Sequence, residues 1–197
     1  MNKDLLKKGV NKLFTAELLT IISGFVGAVS DKLWFLAIPL ALCSIVGYFL
    51  ALNALKDCAN ADENFKKART FALVGLVSGI LTIVSAIFSQ VSIFESLIVI
   101  TTALEDLCEL FVTIYILTAM CSVLDDFGRY ELARRASVVK ILFLIGWALA
   151  QFMILLGGNK AVSAVISGVI AGTLSVAFLI VAELMYILFL DQARKAL

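Results

Sequence analysis

The sequence predicts an all-α integral membrane protein, a six-transmembrane-helix bundle made of three helical hairpin repeats in a pseudo-threefold arrangement. Three observations predict it. First, 62% of the 197 residues are hydrophobic, 16% are charged and mean hydropathy is +1.05. That charge is too sparse to cover the surface of a soluble domain. Second, the apolar residues gather into six runs, near 13–30, 33–55, 70–89, 93–123, 138–157 and 161–190. Such runs match the roughly 18–20 residues that cross a bilayer as a helix, and they lack the alternation of outer-membrane strands. Third, fourteen of the 16 Lys and Arg residues sit at the termini and around the connections 56–69 and 124–137. The three short links hold only Lys32 and Lys160. This asymmetry predicts a bacterial-type plasma membrane location with both termini cytoplasmic.

In chain order, the first run follows Lys3, Lys7, Lys8 and Lys12 and ends at Ala28-Val29-Ser30, superficially like a secretory signal. It is longer than a signal core, carries Glu17 and precedes five more runs, so it reads as a retained first helix. The link 30–32 is short enough to force the second run antiparallel to the first. Pro39, the sole proline, is a candidate kink in that second helix. The links 89–92 and 157–160 pair the remaining runs in the same way. The chain is therefore expected to be one transmembrane domain over 1–197, with hairpins 13–55, 70–123 and 138–190. The charged stretch 124–135 reads as a solvated connector that could continue helically along the cytoplasmic surface. Gly24/Ala28, Gly75/Gly79 and Gly168/Gly172 are small-xxx-small pairs, expected to let helices approach within the bundle or between copies of the chain.

The repeat rests on aligned residues. Setting Phe65 on Tyr130 also sets Ala68 on Ala133, Arg69 on Arg134, Ala54 on Ala119 and Cys43 on Cys108. The tail offers Ala193-Arg194 in a similar setting. These correspondences predict parallel repeats about an axis along the membrane normal.

The fourth run carries the main functional signal. At about 100° per residue, Glu95, Thr102, Asp106, Glu109 and Thr113 fall on one narrow stripe, with Glu105 at its flank. Carboxylates at membrane depth are costly against lipid, so this stripe should face protein or water. Counting inward from Val123 at about 1.5 Å per residue puts Glu109 roughly 20 Å up and Glu105 and Asp106 roughly 26 Å up. Glu183 and Glu17 lie nearer the cytoplasmic ends of their runs, so the acids form a ladder of exchangeable sites for a cation or proton. Thr102 and Thr113 would supply neutral oxygens, and Tyr48, Tyr115 and Tyr186 are candidate donors to the acids. An opposing reading sets helix four higher, leaving the cluster solvated at the outer surface.

Other classes lose ground. A net charge of +1 argues against nucleic acid. With no histidine and no CxxC among four cysteines, zinc is disfavoured, and oxygen ligands would select Ca²⁺, Mg²⁺ or Mn²⁺. Cys43 and Cys108 read as small buried hydrophobes. No GxSxG, HExxH or P-loop is present, so no enzyme and no cofactor beyond a possible cation is expected. The leading expectation is a small polytopic transport protein that handles a cation or couples to protons. Its partners would be the lipid bilayer and possibly a second copy or a partner membrane subunit. A non-transporting membrane scaffold is the first alternative. In size and helix count the chain also resembles the substrate-binding subunits of bacterial vitamin transporters, which implies a substrate-capturing subunit as the second. The Pro-x-acid-x-x-basic motif of mitochondrial carriers is absent.

Overall fold

Residues 3–29, 37–88, 92–157 and 168–197 are described by the structure, a computed structural model. They form six α-helices: α1 (Lys3–Val29), α2 (Ala37–Cys58), α3 (Glu63–Ile87), α4 (Ser92–Asp126), α5 (Tyr130–Gly157) and α6 (Gly168–Ala196). Among the described residues there is no strand. Each helix packs on the next and α6 returns to α1, so the six close into a ring; α1 with α2 and α3 with α4 are the most extensive pairings. The links at 30–32, 89–91 and 158–160, and residues 161–167 of the sixth apolar run, lie outside the described residues. So do the side chains of Gly24, Ala28, Glu95 and Gly172.

The helices overrun the apolar runs, so the stretches 56–69 and 124–137 are largely helical. At the first, the chain turns over 59–62. Asp62 caps α3, accepting from the Asn64 backbone N–H at 2.7 Å, which satisfies one of the donors a helix N-terminus leaves free. At the second, the stretch does not continue helically. Gly128, at φ 70°, ends α4 in a left-handed turn. The Arg129 N–H donates to the Leu124 carbonyl and the Gly128 N–H to the Asp125 carbonyl, each at 2.8 Å. This paired closure satisfies α4's last carbonyls and needs a glycine at the reversal. Pro39 stands in the first turn of α2, where no intrahelical hydrogen bond is lost, so it has no reason to kink the helix.

The core lies at the end of the ring that carries these two turns. Leu6, Val10, Leu13, Leu55, Phe65, Leu117, Met120 and Leu190 are each 1% exposed or less. Ala54 and Ala119 are fully buried, and Ala68, Ala133 and Ala193 nearly so, while Arg69 and Arg134 are exposed. Phe65 and Tyr130 part company, at 0% and 68% exposure. Polar contacts tie this end together: Lys12 donates to Asp57 at 2.6 Å between α1 and α2, and the Arg194 guanidinium lies 4.0 Å over the Phe14 ring between α6 and α1. Three residues past the apolar run 33–55, burial pushes the Cys58 thiol up to about 12, with Asp57 adding to the effect. It stays protonated, its Sγ 3.9 Å from the Leu6 carbonyl oxygen that accepts from it.

In the opposite half the balance reverses. Val77, Ile80, Ile83, Phe88, Ile93, Val99 and Ile100 on α3 and α4 are all more than half exposed. Among the described residues, α3 and α4 are the two helices long and apolar enough to cross a membrane.

Candidate functional site

The site is built where α1, α2, α3 and α4 meet. Close approach of α3 and α4 decides how α4 is turned. A methyl group added at Gly75 would stand 3.2 Å from Cys108 Cβ, and one at Gly79 would stand 3.0 Å from Glu105 Oε1. These glycines let α4 lie against α3, which is the intra-bundle packing expected of the Gly75/Gly79 pair. Thr101, buried on the same side of α4, accepts from the Thr82 hydroxyl of α3 at 2.8 Å. The rings of Phe71 and Phe111 stack at 4.9 Å and those of Phe71 and Tyr115 at 5.6 Å. Tyr115 is thus used for helix packing.

With α3 on that side, the acidic stripe has a defined direction. Ile100, Leu104, Leu107 and Phe111 are exposed and lie about 120–180° round the helix from Glu95. Thr102, Asp106, Glu109 and Thr113 occupy the opposite side. Of the stripe, Glu109 and Thr113 line a cavity shared with α1, α2 and α3. Thr113 is buried at 5% exposure, whereas Thr102, Asp106 and Glu109 retain accessible surface. Glu105 sits half-buried between the stripe and α3, its Oε1 against Gly79.

A cavity of about 50 Å³ occupies the junction. Glu17 and Thr20 line it from α1, Tyr48 from α2, Ala72 and Gly75 from α3, and Glu109 and Thr113 from α4. That volume admits one or two waters, far less than a drug-sized ligand would need. Thr20 turns its hydroxyl to the Ala16 carbonyl at 3.1 Å.

Glu17, Glu109 and Glu183, from α1, α4 and α6, come within electrostatic reach of one another. The reason is helix length. Because α1 starts at Lys3 and α6 runs to Ala196, Glu17 and Glu183 lie about 20 Å from their helix ends at 1.5 Å per residue. Tyr186 completes the junction. It is 1% exposed, held edge-on by Phe143 at 5.7 Å, and its hydroxyl donates to Glu17 Oε1 at 3.4 Å. Glu95, on the stripe by spacing, has its side chain outside the described residues.

Among the described residues no ion pair involves Glu17, Glu105, Asp106, Glu109 or Glu183. Neither do any three carboxylates or thiols there stand close enough together to hold a metal ion. What remains chemically is a small pocket lined by the carboxylates Glu17 and Glu109 and by Tyr48, with the Tyr186 hydroxyl donating to Glu17. Gly79, which seats Glu105, was legible only as one of several small-residue pairs. Comparison with known proteins finds no family model, curated protein or solved structure that matches this chain.

Proposed function

We propose that this chain is a small polytopic transport protein of a bacterial-type plasma membrane, coupled to protons through Glu17, Glu109 and Glu183. One observation carries the reading: Glu17 of α1 and Glu109 of α4 line one small cavity, with no ion pair to either among the described residues. Like charges gathered in a low-dielectric interior repel by several kcal/mol at contact distances unless a cation joins them. The described residues offer no metal-holding trio, so the proton is the cation these groups suit best. In this reading Asp106 and Glu105 extend the route along α4, and the Tyr186 hydroxyl donates to Glu17, an acid that gains and loses protons.

The membrane setting is supported by the outward apolar faces of α3 and α4. Only 28% of α3's apolar window is buried within the chain, and exposed apolar surface on this scale is rare in soluble monomers. In this reading the six apolar runs span the bilayer with both termini cytoplasmic, and the hairpins 13–55, 70–123 and 138–190 repeat about an axis along the membrane normal. The buried Ala54/Ala119 and Ala68/Ala133 pairs favour that repeat.

The test is proton movement into liposomes loaded with a pH-sensitive dye, with membrane potential clamped by potassium and valinomycin. Wild-type protein is expected to collapse an imposed pH step. Glu109→Gln should slow the collapse by about 100-fold, the scale on which a positioned carboxylate contributes to proton transfer. A trace no faster than that of protein-free liposomes would leave the chain a membrane scaffold, with its acids serving packing.

A further inference from the structure

Between the first turns of α5 and the last turns of α6 runs a groove of about 570 Å³. Its polar end carries Arg134, Arg135 and Gln192; away from that end its walls are Val138, Met185 and Leu188. Those three apolar side chains are 45%, 36% and 59% exposed, above a floor of buried Val139 and Phe189. Arg135 Nη1 donates to Gln192 Oε1 at 2.7 Å, which holds that guanidinium across the groove. Among the described residues Arg134 has no ion pair, and Glu131, at the same end, pairs with neither arginine.

Some basic groups at this end of the ring are committed: Lys12 to Asp57, and Arg194 and Lys195 to Asp191. A second groove on α1, with Lys7, Lys8 and Lys12, has Leu50 as its one aliphatic wall. Of these two grooves, the one between α5 and α6 joins unneutralised guanidinium charge to an apolar strip that runs toward the middle of the bundle.

We propose that this groove binds one anionic phospholipid of the cytoplasmic leaflet, its phosphate on Arg134 and Arg135 and an acyl chain along Val138, Met185 and Leu188. The proposal rests on the membrane reading above. Guanidinium groups fork onto phosphate oxygens, and a basic pocket between helices at the cytoplasmic boundary is where an anionic headgroup gains most. A free phosphate would use the arginines and leave the apolar strip without purpose.

The test reconstitutes the full chain into phosphatidylcholine vesicles containing a minority of phosphatidylglycerol. Lipid retained on extraction is counted by native mass spectrometry. Phosphatidylglycerol is expected to be enriched over its bulk fraction, and R134Q/R135Q to lose roughly fivefold in that enrichment per arginine, since a basic group near the surface contributes about fivefold in binding. R134K/R135K keeps the charge without the fork and should retain part of the enrichment, above that of R134Q/R135Q, which separates lost charge from lost folding. K7Q/K8Q removes equal charge on the same side and should leave the enrichment intact. An equal loss in K7Q/K8Q would reduce the effect to diffuse surface charge and overturn the proposal. Unchanged enrichment in R134Q/R135Q, or displacement of the lipid by free glycerol phosphate, would overturn it as well. Failure of the wild-type chain to float with vesicles would sink the membrane reading itself, a result distinct from incorporation without lipid preference.

Discussion

Around Phe65, Leu117 and Leu190 the six helices bury their apolar side chains in one another. A few turns along α3 and α4, Val77, Ile80, Ile83 and Val99 point the other way, outward and without a protein neighbour to cover them. Both regions are rich in aliphatic side chains; what differs is the partner of each face. At the turn-bearing end the partner is protein, with salt bridges and caps supplying polar satisfaction. In the other half the aliphatic residues of α3 and α4 are left exposed. The acidic junction lies at the border between these regions, which is where a bundle can hold water without losing its packing.

The comparison breaks most visibly under truncation. Phe65→Ala should destabilise the folded chain in detergent by about 3–5 kcal/mol, the usual cost of emptying a packed aromatic site. Ile80→Ala should cost less than about 0.5 kcal/mol, as at an uncoupled surface position. Denaturant titration followed by circular dichroism would read both. Equal losses would mean that the outward face of α3 is covered by protein.

A charge placed on that same face sharpens the comparison. Ile80→Arg should oppose membrane insertion by about 2.5–3.5 kcal/mol if the face meets the middle of a bilayer. A glycosylation reporter fused across α3 would measure it. An Ile80→Arg chain that inserts as readily as wild type would place α3 in contact with water.

The smallest effect belongs to the polar end. Lys195 and Arg194 hold the Asp191 carboxyl below its ordinary range. The folded chain therefore binds that proton less readily than the unfolded one, so the contribution to stability is present above the unfolded carboxylate range and disappears as pH falls through the lower folded value. Asp191→Asn should lower the melting temperature slightly at pH 7, with the difference from wild type shrinking toward pH 3. A difference that grew on acidification would reverse the assignment. The group is solvated, so the effect stays near the small scale of surface ion pairs.

Much of this architecture was legible. Six apolar runs correspond to six helices, because hydrophobic length is a local property that needs no knowledge of neighbours. The helix stop at Gly128 could have been read from a glycine following Asp125-Asp126-Phe127, yet the charged stretch after it suggested continuation. The stripe on α4 followed from spacing alone, and Glu109 and Thr113 of it line the small cavity. Thr101 and Glu105 were harder: their place against α3 depends on Gly75 and Gly79, and small-residue pairs occur on several helices.

By itself the sequence determined the helix count, the antiparallel pairing across short links, the one-sided placement of basic residues and the composition of the α4 stripe. All of these are set by periodicity or by charge within one stretch of chain. The tertiary structure alone decided which acids meet. Glu17 and Tyr186 stand 169 residues apart, and the height of one against the other depends on how far α1 and α6 run past their apolar segments. Axial register between helices is fixed by side chains interlocking at the packed end, a sum of many small contacts that no single helix encodes.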